Sequence, residues 1–181
     1  MTFLFPRTER NLILTGDVGP EQPQLGQQIA EQLRMPFVNL ETEITNRINL
    51  SGEEIRAYYG ETHLKAVESE IVRETALRRG TVIRVDGRTL GHSDHLTRLQ
   101  ATGLVICLVM ELGAMLQHWH VSMGARYHDI QERAVRLAEL KQEWAVRAMD
   151  GVYALDITPM TQEEIIARIV ELWREVAAPR G

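Results

Sequence analysis

Apolar positions along the chain fall into two alternating kinds of segment. Short, nearly unbroken apolar runs occur at Asn11–Thr15, Pro36–Leu40, Thr81–Val85, Leu104–Met110 and Val152–Ile157. Runs this short, flanked by Gly, Asn or Asp, read as buried strands. Between them apolar residues recur every three or four positions: Leu25, Ile29 and Leu33 after Pro23; Leu64, Val67 and Ile71 within 62–79; Ile165, Ile169, Leu172 and Val176 within 161–176. That spacing predicts helices with one buried stripe. Pro23 suits a first turn, and Gly80 fits a C-terminal cap. Shorter helices are expected at 41–48 and 52–59, and further ones at 112–120 and about 127–149. Ser51 with Glu54, and Thr161 with Glu164, have the capping-box spacing.

Strands alternating with helices predict βαβ units. The expected fold class is α/β, a three-layer sandwich with a five-stranded parallel sheet flanked by helices, in one domain spanning 1–181. The most apolar run, Leu104–Met110, is expected to be central. In such folds ligands bind at the carboxyl ends of strands. The segments of interest are therefore Gly16–Gln22, Asn39–Glu41, Asp86–Arg88 and the region after Glu111.

Composition narrows the function classes. The 181 residues carry a formal charge of −5, which argues against sequence-independent nucleic-acid binding. The longest apolar run is far shorter than the ~20 residues of a membrane span, and the first ten residues lack a signal-peptide pattern, so a cytoplasmic location is expected. Cys107 is the one cysteine, which excludes an intrachain disulfide. Of the 20 basic residues only Lys65 and Lys141 are lysine.

The first strand-to-helix loop, Gly16-Asp-Val-Gly-Pro-Glu-Gln-Pro23, stands where a phosphate loop would need G-x-x-x-x-G-K-[ST]. Glu21, Gln22 and Pro23 occupy the second glycine, lysine and hydroxyl positions. Across Asn11–Val176 the chain nevertheless resembles the shikimate kinase family, a branch of the P-loop, nucleoside-monophosphate-kinase-like fold. The family's G-x-x-G-x-G-K-[ST]-x-x-G loop is similar in length to Gly16–Gly26, with Gly16, Gly19 and Gly26 kept. Its D-x-D corresponds to Asn39-Leu-Glu41, its G-E-x-x-F-R-x-x-E to Gly60–Glu68, and its G-G-G turn to Asp86-Gly87-Arg88. Its L-x-x-R helix and arginine-rich lid correspond to Leu116–Trp119 and a reduced lid around 112–130, without the arginine. A late R-x-P-x-Y stretch would fall near Leu140–Trp144, where neither the arginine nor the proline is present.

The resemblance implies a phosphate-loop remnant at Gly16, Gly19 and Gln22. It implies a substrate-pocket remnant at Glu41, Lys65, Glu68, Gly87 and Arg88, with Glu41 the catalytic candidate if the protein is active. Phosphoryl transfer rests on positioning and charge neutralisation. Two unit charges ~4 Å apart at an effective dielectric near 20 interact by roughly 4 kcal/mol, so replacing the lysine and adding Glu21 opposes nucleotide binding. The expectation is a catalytically degenerate, pseudokinase-like protein with no metal and no cofactor, serving as a binding module for a small anionic or polyol ligand or as a protein-interaction partner, and not binding nucleic acid or membrane. The alternative is an active shikimate-type kinase using Mg·ATP, with Arg88 or Arg126 supplying the missing charge. A third reading is a homo- or hetero-oligomer with Trp119 and Trp144 at an interface.

Plainer readings stand beside these. Gly16 and Gly19 also fit ordinary turns, Glu41 a helix first turn, Lys65 with Glu68 a solvated pair, and Asp86-Gly87 a tight turn. His92, His95, His118 and His120 read as surface or lid histidines rather than metal ligands. Cys107 reads as an inert core thiol, and Trp119, Trp144 and Trp173 as packing or interface residues. The 127–149 helix, with Glu132, Glu139 and Glu143 among its arginines, reads as a salt-laced exposed face.

Overall fold

The protein is described by a computed structural model covering residues 6, 9–16 and 22–177, with the side chains of 22, 23 and 177 excepted. The order is β1 Asn11–Thr15, α1 Gln22–Leu33, β2 Phe37–Asn39, α2 Leu40–Ile48, α3 Gly52–Tyr59, α4 Glu61–Thr75, β3 Val82–Arg84, α5 Gly87–Leu90, α6 His95–Gln100, β4 Gly103–Val109, α7 Leu112–Met123, α8 Ile130–Ala145, β5 Val152–Asp156 and α9 Gln162–Ala177. Short 3-10 segments at Gly124–His128 and Val146–Ala148 flank α8.

All five strands are parallel, in the order β2-β3-β1-β4-β5. Side chains alternate across the sheet. Leu12, Leu14, Leu104, Ile106 and Leu108 face α1 and α9, where Ile29, Ile165 and Ile169 complete one core. Ile13, Val38, Ile83 and Val105 face the other side, against Ile55, Leu64, Val67, Ile71 and Leu99. These two cores make the three layers. A third, smaller cluster of Met115, Trp119, Leu140 and Trp144 joins α7 to α8.

The carboxamide of buried Asn11 fastens the amino-terminal edge of the sheet. Its Nδ2 donates to Arg78 O at 2.9 Å and Thr102 Oγ1 at 3.1 Å, and its Oδ1 accepts from the Thr81 N–H at 3.0 Å. One side chain thereby ties β1 to the approaches of β3 and β4 and gives the buried Thr81 N–H its acceptor.

Several expectations are corrected. The central strand is β1; β4 is internal but lies between β1 and β5, because apolar length reports burial on both faces and not rank across the sheet. Gly80 does not cap α4. That helix ends at Thr75 with Ala76 as its cap, and residues 76–80 unwind so that Arg78 O can reach Asn11. Gly80 sits at φ +57° in the turn into β3. The 127–149 helix is shorter, starting after Asp129, whose Oδ1 accepts from the N–H groups of Gln131 and Glu132. The α5 and α6 segments were not expected.

Candidate functional site

The carboxyl ends of β1, β3 and β4 converge on α8. Gly16 adopts φ +100°, and a Cβ there would stand 2.0 Å from Leu108 O, so only glycine passes between β1 and β4. A Cβ on Gly87 would stand 2.0 Å from Glu143 O, where the backbone of α8 crosses the start of α5. Both glycines are thus demanded by close backbone approach. Gly19 and Glu21 lie outside the described residues. For Gln22 the structure gives only its place at the first residue of α1.

Glu143 joins these elements. It is 7% exposed and accepts at Oε1 from the Gly87 N–H at 2.8 Å and the Gly16 N–H at 3.2 Å; Oε2 lies 3.4 Å from the Arg88 N–H. Burial, followed by the charge of Asp86, pushes its carboxyl up to about 7, against the opposing pull of the Gly87 N–H. Glu143 therefore does not belong to an exposed face. The sequence signal was present: it lies three residues after buried Leu140 and beside buried Trp144, within the apolar stripe of its helix.

Beside this junction opens a cavity of about 640 Å³, lined by residues of α3, α4, the 86–92 segment and the end of α8. It brings together Lys65, Glu68, Gly87 and Arg88, four of the five substrate-side candidates, and adds Arg56, Glu61, Asp86, Thr89 and His92. Glu68 accepts from the Thr89 hydroxyl at 3.0 Å, and burial raises its pKa. Arg56 pairs with Glu61 at 2.5 Å and holds that carboxyl below its usual range. Asp86 pairs with Arg84 at 3.1 Å. Lys65 and Arg88 form no ion pair among the described residues. The Lys65–Glu68 solvated pair is thus not formed: Glu68 turns to Thr89 instead.

Glu41, the fifth candidate, is exposed in the first turn of α2 and is not among the residues lining the cavity. Asn39 caps that helix, its Oδ1 accepting from the Glu41 N–H at 3.1 Å. The side chain at the position of the family's first D-x-D carboxylate is therefore neutral, with its oxygen already engaged. Arg126 pairs with Glu132 at 3.1 Å on the surface, away from this cavity.

Of the histidines, His95 is a correction. It is buried, with Nδ1 2.7 Å from Thr89 O and Nε2 2.9 Å from Ser69 Oγ, and so fastens the 87–95 segment to α4. His92 lines the cavity; burial, then Lys65, depresses its pKa. His120 packs edge-on against Tyr127 and His128. No three His, Cys, Asp or Glu among the described residues are grouped to hold a metal. Burial holds the Cys107 thiol up at about 12, so it is chemically inert. No helix among the described residues is long and apolar enough to cross a membrane.

Comparison with known proteins agrees with this geometry. The family model described as shikimate kinase matches residues 23–172. A shikimate kinase from Geobacter sulfurreducens is 30% identical over 170 residues, covering 94% of each chain. Another, from Geobacter metallireducens, is 24% identical over 168 residues, covering 93% of this chain and 94% of that one. Among solved structures, a shikimate kinase from Acinetobacter baumannii in complex with shikimate superposes with a TM-score of 0.78 at 18% identity, covering 96% of this chain and 97% of that one.

Proposed function

This chain belongs to the shikimate kinase family of ATP-dependent phosphotransferases, and from that membership we propose that it binds a small anionic polyol of the shikimate class in the cavity beside Glu143, without efficient phosphoryl transfer. The observation that carries the reading is an imbalance between two halves of one site. For the substrate half, support comes from the shared cavity lining of Lys65, Arg88 and Glu68, the last accepting from the Thr89 hydroxyl. The phosphate half does not fit Mg·ATP. Its loop carries Glu21, Gln22 and Pro23, and Asn39 offers no carboxylate, its oxygen serving as a helix cap. Glu143 and Asp86 add two carboxyl groups where the first loop meets the third-strand turn. Segment 112–130 occupies the place of the family's lid in this reading.

A second reading, an active kinase with a diverged loop, is favoured by a specific observation: the family model and the shikimate kinase relatives extend over nearly the whole chain, including the cavity. The comparisons weigh more on the side of this reading than of a degenerate protein, whereas the loop chemistry weighs against it. Two measurements separate the readings. In a coupled assay with Mg·ATP and shikimate at high protein concentration, turnover in the ordinary kinase range of ~1–100 s⁻¹ establishes the kinase. Calorimetric titration with shikimate giving saturable binding, alongside a flat titration with Mg·ATP up to about 1 mM, establishes the binding module.

A further inference from the structure

The buried carboxyl of Glu143 is held by two segments that are remote from it in the chain. Its Oε1 accepts from the N–H groups of Gly16 at 3.2 Å and Gly87 at 2.8 Å, and its Oε2 lies 3.4 Å from the Arg88 N–H. Gly16 follows β1 and opens the first loop, whereas Gly87 and Arg88 begin α5 and line the cavity. The carboxyl therefore stands between the first loop and the cavity wall, in contact with both. Backbone N–H groups that converge on one point make a seat for an oxyanion, because each presents a partial positive charge in a fixed direction. Here the occupant belongs to the chain itself. The walls of the seat are held by other contacts. α8 meets α5 through its backbone, so closely that a Cβ on Gly87 would stand 2.0 Å from Glu143 O. Leu140 and Trp144, on either side of Glu143 in the sequence, are buried with Met115 and Trp119. Truncating the side chain thus leaves the surrounding backbone supported and a hole behind. The heavy atoms that Glu143→Ala removes are those of acetate.

We propose that Glu143 is an internal ligand: the ends of β1 and β3 form a seat for a small carboxylate, the chain fills it with its own side chain, and this contact shuts the seat to oxyanions from solution. The contact is autoinhibitory. An oxyanion that would bridge the first loop and the cavity must first displace a group that is tethered to the fold and so is never diluted away. Burial and the charge of Asp86 both oppose a negative charge at this place, and Asp86 is itself paired with Arg84 at 3.1 Å. A free anion is therefore expected to bind the emptied seat only in the millimolar range, and acetate, with one charge, more tightly than phosphate.

The test is chemical complementation in the full chain. Acetate, inorganic phosphate and, at matched ionic strength, chloride are titrated into the parent protein, Glu143→Ala, Glu143→Gln and the control Glu139→Ala. Glu139 lies on the same helix and pairs with Arg136 at 3.5 Å. Melting temperature and the amide resonances of Gly16 and Gly87 are followed together. In Glu143→Ala acetate should raise the melting temperature saturably, by roughly 3–6 °C at ten times its dissociation constant, and should move both resonances along the same curve. The parent, Glu143→Gln and Glu139→Ala should show neither effect, because in each of them the seat remains filled. Phosphate that saturates in Glu143→Ala alone supports the seat as well and widens its class to phosphoryl groups. A temperature rise shared equally by all the proteins, resonances that stay in place in Glu143→Ala, or saturable acetate binding by the parent overturns the proposal. If Glu143→Ala does not fold by itself, refolding in acetate should restore its near-ultraviolet circular dichroism where chloride does not, and no recovery in acetate or phosphate overturns the proposal equally. These probes report on the seat alone, so the binding of a shikimate-class ligand in the cavity stands or falls separately.

Discussion

Glu143 is the residue whose chemistry differs most from its appearance in the sequence. Buried between the loops after β1 and β3, it carries a carboxyl pushed up from 4.5 to about 7, chiefly by burial. The folded chain therefore holds a proton that the unfolded chain releases as the pH rises through 4.5. The stability this group contributes is complete below about pH 4.5 and declines until the folded carboxyl has ionised above 7. The loss is on the order of 3 kcal/mol. Glu143→Gln keeps an oxygen for the Gly16 and Gly87 N–H groups and removes the titration. Its melting temperature at pH 8.5 should exceed the parent's by roughly 5–10 °C, with little difference at pH 5; equal curves for both proteins would refute the assignment. Asn11 offers the contrasting case of a neutral group. Asn11→Ala leaves the buried Thr81 N–H without its acceptor, while Arg78 O keeps the Arg79 guanidinium, and should cost about 1–3 kcal/mol in urea unfolding at every pH. Charge patterning misled the reading of Glu143 because alternating charges on a helix signal solvent only where they lie off the apolar stripe. Asn11 and His95 were hidden for a related reason: their partners are remote backbone groups or distant helices, and no local pattern announces them.

At the scale of elements, strands and long helices were legible because burial imposes a period on them, and their ends shifted where caps decided. The α5 and α6 helices, four and six residues long, contain too little chain to display a stripe. α5 nevertheless lines the cavity with Gly87, Arg88 and Thr89, and His95 at the start of α6 bonds back to Thr89 O. Contact between α7 and α8 explains the tryptophans. Trp119 and Trp144 are 2% and 7% exposed and pack against Met115 and Leu140 of the same chain, so neither ring is offered to a second molecule. Arg136 lies over Trp119 at 5.8 Å and Arg147 over Trp144 at 5.9 Å. A flat guanidinium covers an aromatic face better than an ammonium does, which gives two of the many arginines a structural use. Trp144→Ala should cost about 3–5 kcal/mol in chemical unfolding. Both indole N–H groups lack a hydrogen-bond partner among the described residues. Trp119→Phe removes one such buried donor along with part of the ring, so the lost packing and the relieved desolvation oppose each other, and the net change should stay within about 1 kcal/mol. A cost as large as that of Trp144→Ala would mean that the indole N–H is paired in solution.

The whole molecule poses a question of division between scaffold and chemistry. The parallel sheet brings the carboxyl ends of β1, β3 and β4 around one point, where Gly16 and Gly87 are required by backbone contacts with Leu108 and Glu143. Such contacts hold the neighbouring cavity open independently of the residues that follow Gly16. Two lysines in the whole chain, one lining the cavity and the other in α8, leave none for the first loop. If the loop alone withholds nucleotide, restoring its chemistry should restore binding. The triple change Glu21→Gly, Gln22→Lys and Pro23→Ser rebuilds G-x-x-x-x-G-K-S from Gly16 onward. It removes one negative charge, adds one positive charge and returns a backbone N–H at the head of α1, where the helix dipole already favours an anion. At an effective dielectric near 20, exchanging repulsion for attraction amounts to several kcal/mol before screening, enough for a gain of at least a hundredfold in Mg·ATP affinity by calorimetry. Adding Asn39→Asp should improve the Mg²⁺ dependence of that binding at the expense of little stability, since aspartate caps α2 as well as asparagine does. A rebuilt loop that folds normally and still fails to bind nucleotide would shift the cause from the loop to Glu143, whose carboxylate would then remain as the charge opposing phosphate. The quadruple variant carrying Glu143→Gln as well would be expected to bind.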